Sequence, residues 1–179
     1  MTDWREDMNA RDLYDALKDS SFSFTRSIVS RMPTLPSGKC DDGLATFSVL
    51  SPEELLYSEK GTFSEKGTFN TLSFTQRYIY HFSPGKIDIF FVKRTEPKVK
   101  DYLFLSLKLS EETFITGSCD FHLCVNVRLL LSSLTRAYNA LKDVYDAKYR
   151  FGQNDFHIEY LVTGPKKDYT HTTDYVRLS

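Results

Sequence analysis

Residues 71–92 of the chain, TLSFTQRYIYHFSPGKIDIFFV, decide the fold class. Aromatic and aliphatic residues alternate with polar ones before and after the segment SPGK, residues 83–86. Alternation of this kind is typical of strands with one buried face, and a Pro-Gly pair between two such runs indicates a tight turn. The stretch therefore predicts an antiparallel β-hairpin.

The same pattern recurs along most of the chain, with turn residues between one run and the next. The remaining runs are SFSFTRSIV, GLATFSVL, ELLYSEKGTF, DYLFLSLKL, ETFITGSCDFHLC, VYDAKYRF, DFHIEYLVTG and DYVRL. Short strands joined in succession by hairpins suit an up-and-down barrel, which leaves no free edge. We therefore expect an all-β fold, an antiparallel barrel of about 8–10 strands.

Two segments have helical rather than β patterns. Asn9 or Asp7 would cap a short helix over roughly residues 10–18. Its apolar stripe would consist of Leu13, Ala16 and Leu17. The second segment, residues 125–142, interrupts the β region with apolar residues at helical spacing. We expect an inserted helix there.

The origin of residues 125–142 stays open between two interpretations. One is a genuine amphipathic helix that covers the barrel opening or docks a partner protein. The other is a translated retained intron, because the segment opens with Val125, whose codons all begin with GT. It closes with Lys142, one of whose codons ends in AG.

Composition narrows the class of protein. The 179 residues are 41% hydrophobic, which fits one domain spanning residues 1–179. A net charge of −1 offers no basic surplus for nucleic acid. The charged N-terminus is unlike a signal peptide, and no run of about 18 apolar residues indicates a membrane span. Three cysteines without metal-type spacing fit reduced thiols, so we expect a cytoplasmic protein.

Short motifs spread over residues 17–177 carry a resemblance to a known family. They are Leu17 with Ser20-x-Phe22-x-Phe24-x-Arg26-x-Ile28, Gly43-x-Ala45-x-Phe47, Leu55-Leu56-Tyr57-x-Glu59-x-Gly61, Arg77-Tyr78-x-Tyr80, His122-x-Cys124, Asp143-x-Tyr145, Gly164-Pro165-Lys166-Lys167-Asp168-Tyr169 and Tyr175-x-Arg177. In them the chain resembles a family of small domains of unknown function, best represented in fungi and bacteria. The resemblance implies a lipocalin-like (calycin) barrel and brings no established activity.

Two departures from the family pattern bear on a carried-over site. The family tends to have Gly and Trp where this chain has Ser20 and Phe22. It also joins His-x-Cys almost directly to Asp-x-Tyr, whereas residues 125–142 stand between them here.

Asp120, His122 and Cys124 share one face of a predicted strand. Structural hydrogen bonding, ligand contact or acid–base work, and metal or haem ligation through His122 all remain open. We expect no metal and no other cofactor, with haem or metal at His122 as the alternative. We also expect His122 and Arg77 to be buried beside a shared cavity.

Arg26 and Arg77 lie in aromatic-rich strands, and a buried cation needs an anionic or π partner. Glu59 is the nearest partner among the motifs. For Arg26 the structural alternative is a network that closes the barrel around Phe22 and Arg177.

Tyr57, Tyr80 and Tyr145 each combine an apolar ring with one hydroxyl, which suits a hydrophobic ligand with a few oxygens and equally an ordinary aromatic core. Lys167 follows a Gly-Pro turn signal, so it belongs either to a solvated loop or to a basic rim that attracts an anionic ligand. The predicted ligand-binding residues are Arg26, Tyr57, Glu59, Arg77, Tyr80, His122, Cys124, Tyr145 and Lys167.

Three functions follow from these patterns. The leading one is a barrel that binds a small, largely hydrophobic molecule with polar or carboxylate groups, such as a polyketide-, terpenoid- or fatty-acid-like compound of secondary metabolism. The second is a cofactor-free cyclase, isomerase or hydratase in which His122, Asp143 or Tyr145 moves protons while Arg26 or Arg77 stabilises the developing negative charge. The third is an interaction module that binds a protein partner through residues 125–142.

Overall fold

The computed structural model describes residues 9–109, 114–120 and 143–179, which form one short helix and ten strands. In chain order the elements are α1 (Ala10–Leu17), β1 (Ser21–Ser30), β2 (Gly38–Ser51), β3 (Glu54–Glu65), β4 (Thr71–Ser83), β5 (Lys86–Val92), β6 (Lys100–Leu109), β7 (Phe114–Asp120), β8 (Val144–Phe151), β9 (Asp155–Thr163) and β10 (Tyr169–Arg177).

The ten strands form a closed barrel. Each strand pairs antiparallel with the strands before and after it in the chain, and β1 pairs with β10. This last pairing runs from Phe22 opposite Arg177 to Ser30 opposite Tyr169. Closing the ring in this way removes the unpaired strand edges that an open sheet would expose. The predicted antiparallel up-and-down barrel is confirmed.

Inward-facing aromatic rings fill the closed half of the barrel. The Phe22 ring meets the Phe156 ring edge to face at 4.9 Å, and Tyr175 stacks on Phe156 at 3.8 Å. Edge-to-face and stacked pairs of this kind add stability beyond the area that the rings bury. The high aromatic content of the sequence therefore goes mainly into one continuous core.

The backbone of β2 approaches an aromatic ring of β1 closely at Gly43. A Cβ atom at Gly43 would lie 2.2 Å from the ring of Phe24, so only glycine leaves room for that ring. The pairing of β1 with β2 shifts register between Phe24 and Arg26. The shift coincides with the point where the interior changes from packed rings to a cavity.

The helix α1 closes one end of the barrel. Asn9 caps it, as predicted, with its side chain accepting two backbone N–H groups. The predicted apolar stripe needs one correction, because Ala16 is exposed and Tyr14 is buried instead. The Tyr14 ring meets Phe82 edge to face at 5.5 Å, and its hydroxyl donates to the Ser51 carbonyl at 2.7 Å. An aromatic side chain with a polar tip can join a helix to a strand end in this way.

Arg177 ties the last strand to this helix. Its guanidinium carbon lies 5.2 Å from the centroid of the Phe22 ring, and Nη2 donates to the carbonyl of Ala16. These contacts form a network around Phe22 and Arg177 at the closed end, and Arg26, for which such a network was the structural alternative, bonds to Glu59 instead.

The two ends of the barrel differ. α1 lies at one end with the β2–β3, β4–β5 and β8–β9 connections; the opposite end, called the mouth below, carries the β1–β2, β3–β4, β5–β6 and β9–β10 connections. No helix in the described ranges has the length and apolar character needed to cross a lipid bilayer. The predicted helix 125–142 and the predicted site residues His122 and Cys124 lie outside the described residues.

Candidate functional site

A cavity of about 400 Å³ occupies the half of the barrel nearest the mouth. Eight of the eleven tyrosines of the chain line it: Tyr57, Tyr78, Tyr80, Tyr145, Tyr149, Tyr160, Tyr169 and Tyr175. The other lining residues are Arg26, Ile28, Glu59, Phe74, Thr75, Gln76, Phe91, Phe104, Ile158, Lys167, His171 and Thr173. The wall is thus aromatic, with a small number of charged and hydrogen-bonding groups.

One strand supplies a regular series of these polar groups. Tyr169, His171, Thr173 and Tyr175 occupy alternate positions of β10, and alternate residues of a strand face the same side. The intervening residues face outward; Asp174, for example, is exposed. The two-residue repeat of β10 therefore places four lining residues in a row from the mouth towards the closed end.

Arg26 and Glu59 form a buried ion pair in the cavity wall. Arg26 Nη1 donates to Glu59 Oε1 at 2.8 Å, and Nη2 donates to Oε2 at 2.6 Å. The side chains are only 11% and 5% exposed. Burial works to lower the pKa of Arg26, but the hydrogen bonds to Glu59, the charge of that carboxylate and the neighbouring Tyr175 and Tyr57 together raise the pKa, so the guanidinium stays charged. The partner predicted for Arg26 is confirmed.

Neighbouring side chains complete the environment of this pair. The Tyr57 hydroxyl donates to Glu59 Oε2 and lies 2.8 Å from the Tyr175 hydroxyl. The Arg26 guanidinium carbon lies 4.7 Å from the centroid of the Phe24 ring. The ion pair is therefore both hydrogen-bonded and shielded, which is the condition under which a buried pair can persist.

His171 lies on the other side of Arg26. Thr173 Oγ1 accepts from Arg26 Nε at 3.0 Å and lies 2.9 Å from His171 Nε2. The imidazole also stacks on the Tyr160 ring, with centroids 5.4 Å apart. Burial, and then the positive charge of Arg26, hold the pKa of His171 well below its usual range. The cavity therefore contains a neutral imidazole at neutral pH.

Lys167 places an ammonium group in the wall near the mouth. Its Nζ donates to the Tyr145 hydroxyl at 2.6 Å and lies 5.3 Å from the centroid of that ring. The loop that carries it is held by Asp143, whose Oδ1 accepts the backbone N–H groups of Lys166 and Lys167, each at 3.1 Å. A fixed loop positions the ammonium towards the cavity.

The tyrosine hydroxyls of the cavity are neutral hydrogen-bonding groups. Burial raises the pKa of Tyr57, Tyr80 and Tyr149 well above the usual phenol value. Tyr149 and Tyr160 share a hydrogen bond between their hydroxyls. These rings thus offer donors and acceptors without charge.

Six of the nine residues predicted to bind a ligand line this cavity. They are Arg26, Tyr57, Glu59, Tyr80, Tyr145 and Lys167. His122 and Cys124 lie outside the described residues, so their roles, including haem or metal at His122, stay predictions. Within the described ranges no group of three His, Cys, Asp or Glu side chains is arranged to hold a metal ion.

The predicted position of Arg77 is wrong. Gln76 and Tyr78 line the cavity, and the pleat of β4 turns the residue between them to the outside. Arg77 is exposed and lies opposite Ser58 of β3. It therefore cannot contact a ligand in this cavity or stabilise charge there.

Asp143 and Tyr145, both predicted as proton-moving residues, have different positions. Tyr145 lines the cavity, whereas Asp143 is fully buried behind it and does not line it. The carboxylate of Asp143 accepts loop N–H groups, which is a structural task.

Sequence reasoning missed His171 and Thr173. The run predicted as the last strand was DYVRL, whereas β10 begins at Tyr169. The signal was present in YTHTTDY, residues 169–175, where Tyr, His, Thr and Tyr alternate with small or acidic residues. The threonines hid this alternation, because they place polar side chains on both faces of the strand.

Comparison with known proteins supports the fold and the family. The S-type phycobiliprotein lyase CPES from Guillardia theta has a similar structure, with a TM-score of 0.57 over 97% of this chain and 94% of that chain. The two sequences are 6% identical, so the likeness shows the fold alone, a lipocalin-like barrel. No curated protein matches the sequence. The model of a family of unknown function, DUF6314, matches residues 19–177, and the chain belongs to that family.

Proposed function

We propose that the barrel binds a small molecule in its cavity, and that this ligand is largely hydrophobic with polar or carboxylate groups. The observation that carries the proposal is the cavity itself, about 400 Å³ of space walled by aromatic rings. Small-molecule sites typically have volumes of roughly 300–1,000 Å³, apolar walls and a few placed polar groups. A barrel interior used only for stability would be filled by side chains.

The lining offers a charged donor that suits a ligand acid. Arg26 and Glu59 bond to each other within their pair, and Lys167 brings an ammonium group into the lining. A ligand carboxylate would gain a charge-assisted hydrogen bond from that ammonium. A ligand cation would meet an ammonium group instead.

Two further aspects of the proposal rest on general features. A barrel of the same fold belongs to a phycobiliprotein lyase, which is in keeping with a cavity used for ligand chemistry. Cys40 is a buried free thiol, and we place the protein in the reducing cytoplasm. We assign the ligand to secondary metabolism, as a polyketide-, terpenoid- or fatty-acid-like compound.

The proposal is tested by native mass spectrometry of the protein purified from its own host. We expect a bound compound that the variant Ile28→Trp loses, because Ile28 lines the cavity and an indole there would take up space that the ligand needs. The matched variant Val29→Trp changes the next residue, which is 57% exposed, and should retain the compound. Wild-type protein without any bound compound, or equal retention by both variants, contradicts the proposal.

A second function, proton-transfer catalysis, is favoured by a separate observation. His171 is a neutral imidazole beside the charged Arg26, and such a pair can take a proton from a substrate and stabilise the resulting anion. The two functions differ in the fate of the compound. Incubation with fresh protein should leave a ligand unchanged, whereas a substrate would be converted to a product of different mass or retention time.

A further inference from the structure

We infer that His171 is the recognition group deep in the cavity and that Lys167 is its counterpart at the mouth. His171 donates a hydrogen bond from Nδ1 to a neutral oxygen of the ligand, and Lys167 binds the ligand carboxylate. The inference rests on the proposed function and deepens it, because it assigns the ligand a direction and a second polar end. It follows from the direction of the hydrogen bonds around Arg26.

The assignment of donors and acceptors begins at Glu59. A carboxylate only accepts, so the Tyr57 hydroxyl donates to it, and Arg26 donates to both of its oxygens at 2.8 and 2.6 Å. Since the Tyr57 proton is used, Tyr175 donates in the 2.8 Å contact between the two hydroxyls. The donor and the acceptor of each hydrogen bond that links Glu59, Tyr57 and Tyr175 are then assigned.

The other side of the guanidinium fixes Thr173. Arginine has no acceptor, so Arg26 Nε donates to Thr173 Oγ1 at 3.0 Å. Thr173 keeps its own hydroxyl proton for His171 Nε2 at 2.9 Å, and we assign the hydroxyl as the donor of this contact. A neutral imidazole that accepts at Nε2 carries its proton at Nδ1.

The imidazole remains neutral because it is buried and because the charged Arg26 lies next to it. Burial and this charge both hold the pKa of His171 low. The ring is also oriented by Tyr160, on which it stacks with an interplanar angle of 30°. A neutral, oriented ring presents one N–H donor and no charge of its own, so it can bind a carbonyl or ether oxygen while the ligand carboxylate pairs with the charged Lys167.

The position of His171 on β10 places it further inside the barrel than the mouth. Tyr169 and His171 are successive inward positions, and two residues along a strand span about 7 Å. Tyr169 begins β10 at the mouth, two residues after Lys167. A ligand that reaches both Lys167 and His171 is therefore a carboxylic acid whose carbonyl or ether oxygen is separated from the carboxylate by an aromatic or conjugated body.

The first test is nitrogen-15 NMR of protein labelled at histidine, without ligand. We expect His171, assigned through the variant His171→Gln, to show a protonated Nδ1 and an unprotonated Nε2. Thr173→Val removes the donor and should shift this preference, whereas Thr172→Val, on the outward face of the same strand, should leave it unchanged. A wild-type His171 protonated at Nε2 overturns the inference.

The second test uses three probes of one shape: 6-acetyl-2-naphthoic acid, 6-isopropyl-2-naphthoic acid and methyl 6-acetyl-2-naphthoate. The first has both polar groups, the second lacks the neutral oxygen acceptor, and the third lacks the charge. By titration calorimetry the wild type should prefer the first over the second by roughly fivefold, as one neutral hydrogen bond allows. It should prefer the first over the third by about tenfold or more, because the hydrogen bond from Lys167 to the probe carboxylate is charge-assisted.

Matched variants separate the two groups. His171→Phe should abolish the preference for the ketone and keep the preference for the acid; Lys167→Met should do the reverse. Lys166→Met, at an exposed neighbouring position, should keep both. If the probes bind the wild type without either preference, the inference fails while the proposed function stands. If none binds, or binding persists in Ile28→Trp, the proposed function fails as well.

Discussion

The guanidinium of Arg26 and the carboxylate of Glu59 meet face to face inside the barrel, joined by hydrogen bonds of 2.8 and 2.6 Å. Arg26 lies on β1 and Glu59 on β3, so the pair spans the intervening strand β2. Two parallel hydrogen bonds fix both position and angle, which a single contact does not. This pair therefore holds the wall of the cavity in one geometry.

Removing one member of the pair should destabilise the protein strongly. In Glu59→Leu the charge of Arg26 stays buried without its partner, and such losses cost about 3–5 kcal/mol. The double variant Arg26→Met/Glu59→Leu should recover much of this free energy of unfolding, because no buried charge remains. Urea denaturation of the single and double variants measures both effects.

A surface pair provides the control for this prediction. Arg31 and Asp168 also form an ion pair, but their side chains are 42% and 37% exposed. Asp168→Leu should therefore cost less than about 1 kcal/mol. Equal losses in Asp168→Leu and Glu59→Leu would mean that burial does not decide the strength of the Arg26–Glu59 interaction.

A second prediction concerns the close approach of Gly43 and Phe24. In Gly43→Ala the new Cβ would lie 2.2 Å from the ring, so the ring or β2 must move. Overpacking of this kind typically costs about 1–3 kcal/mol. Phe24→Leu should be less damaging in the Gly43→Ala background than in the wild type, because the smaller side chain relieves the clash. Additive losses in a double-mutant cycle would contradict the contact.

The strands of the barrel could be predicted from sequence because each has a local residue pattern that is typical of a strand. The hairpin of residues 71–92 contains alternation, β-branched and aromatic residues and a Pro-Gly turn, and all of these point to the same structure. The closure of β1 with β10 could not be derived from such local signals. It depends on pairing between the two ends of the chain, which the succession of hairpins and the motif resemblance indicated only through the class of fold.

The hexapeptide SEKGTF occurs twice in the chain and adopts a different structure in each copy. Its first copy, residues 58–63, lies entirely in β3, whereas the second, residues 64–69, leaves that strand and forms the turn to β4. Gly67 in the second copy has a φ of 80°, which suits glycine in a turn. The same six letters take two structures because the surrounding strands, rather than the hexapeptide, decide the end of β3.

The local sequence pattern identified some residues of the cavity wall and missed others. Tyr57 and Tyr80 could be placed because they lie in strands with clear alternation. Arg77 could not, because the expectation of a buried arginine overrode the period of β4, which puts it on the outer face. His171 escaped because the threonines around it hide the buried face of β10.

A third prediction concerns the thiol of Cys40. This side chain is fully buried, and its Sγ lies 3.2 Å from Asp42 Oδ1. Burial raises the pKa of the thiol, so little reactive thiolate forms at neutral pH. We expect iodoacetamide to leave Cys40 unmodified in the folded protein and to modify it fully in urea, as read by peptide mass mapping. Rapid alkylation in the folded state would contradict the burial.

The last prediction concerns pH and follows from His171. In the unfolded chain this imidazole takes up a proton below about pH 6.5, whereas in the folded barrel its lowered pKa keeps it neutral. The unfolded state therefore binds more protons in this range, and the free energy of unfolding falls as the pH falls. One such group contributes a slope of up to about 1.4 kcal/mol per pH unit below pH 6.5.

Other groups titrate in the same range, so the contribution of His171 must be read as a difference. Urea denaturation between about pH 7 and pH 5 should show a steeper loss of stability for the wild type than for His171→Gln, since glutamine takes up no proton. His157→Gln alters a histidine that bonds to the exposed Asp174, and it retains His171 and its share of the slope. If His171→Gln follows the wild type in parallel through this range, the imidazole is charged in the folded protein. The cavity would then present a cation at His171, in place of the neutral N–H on which the ligand assignment depends.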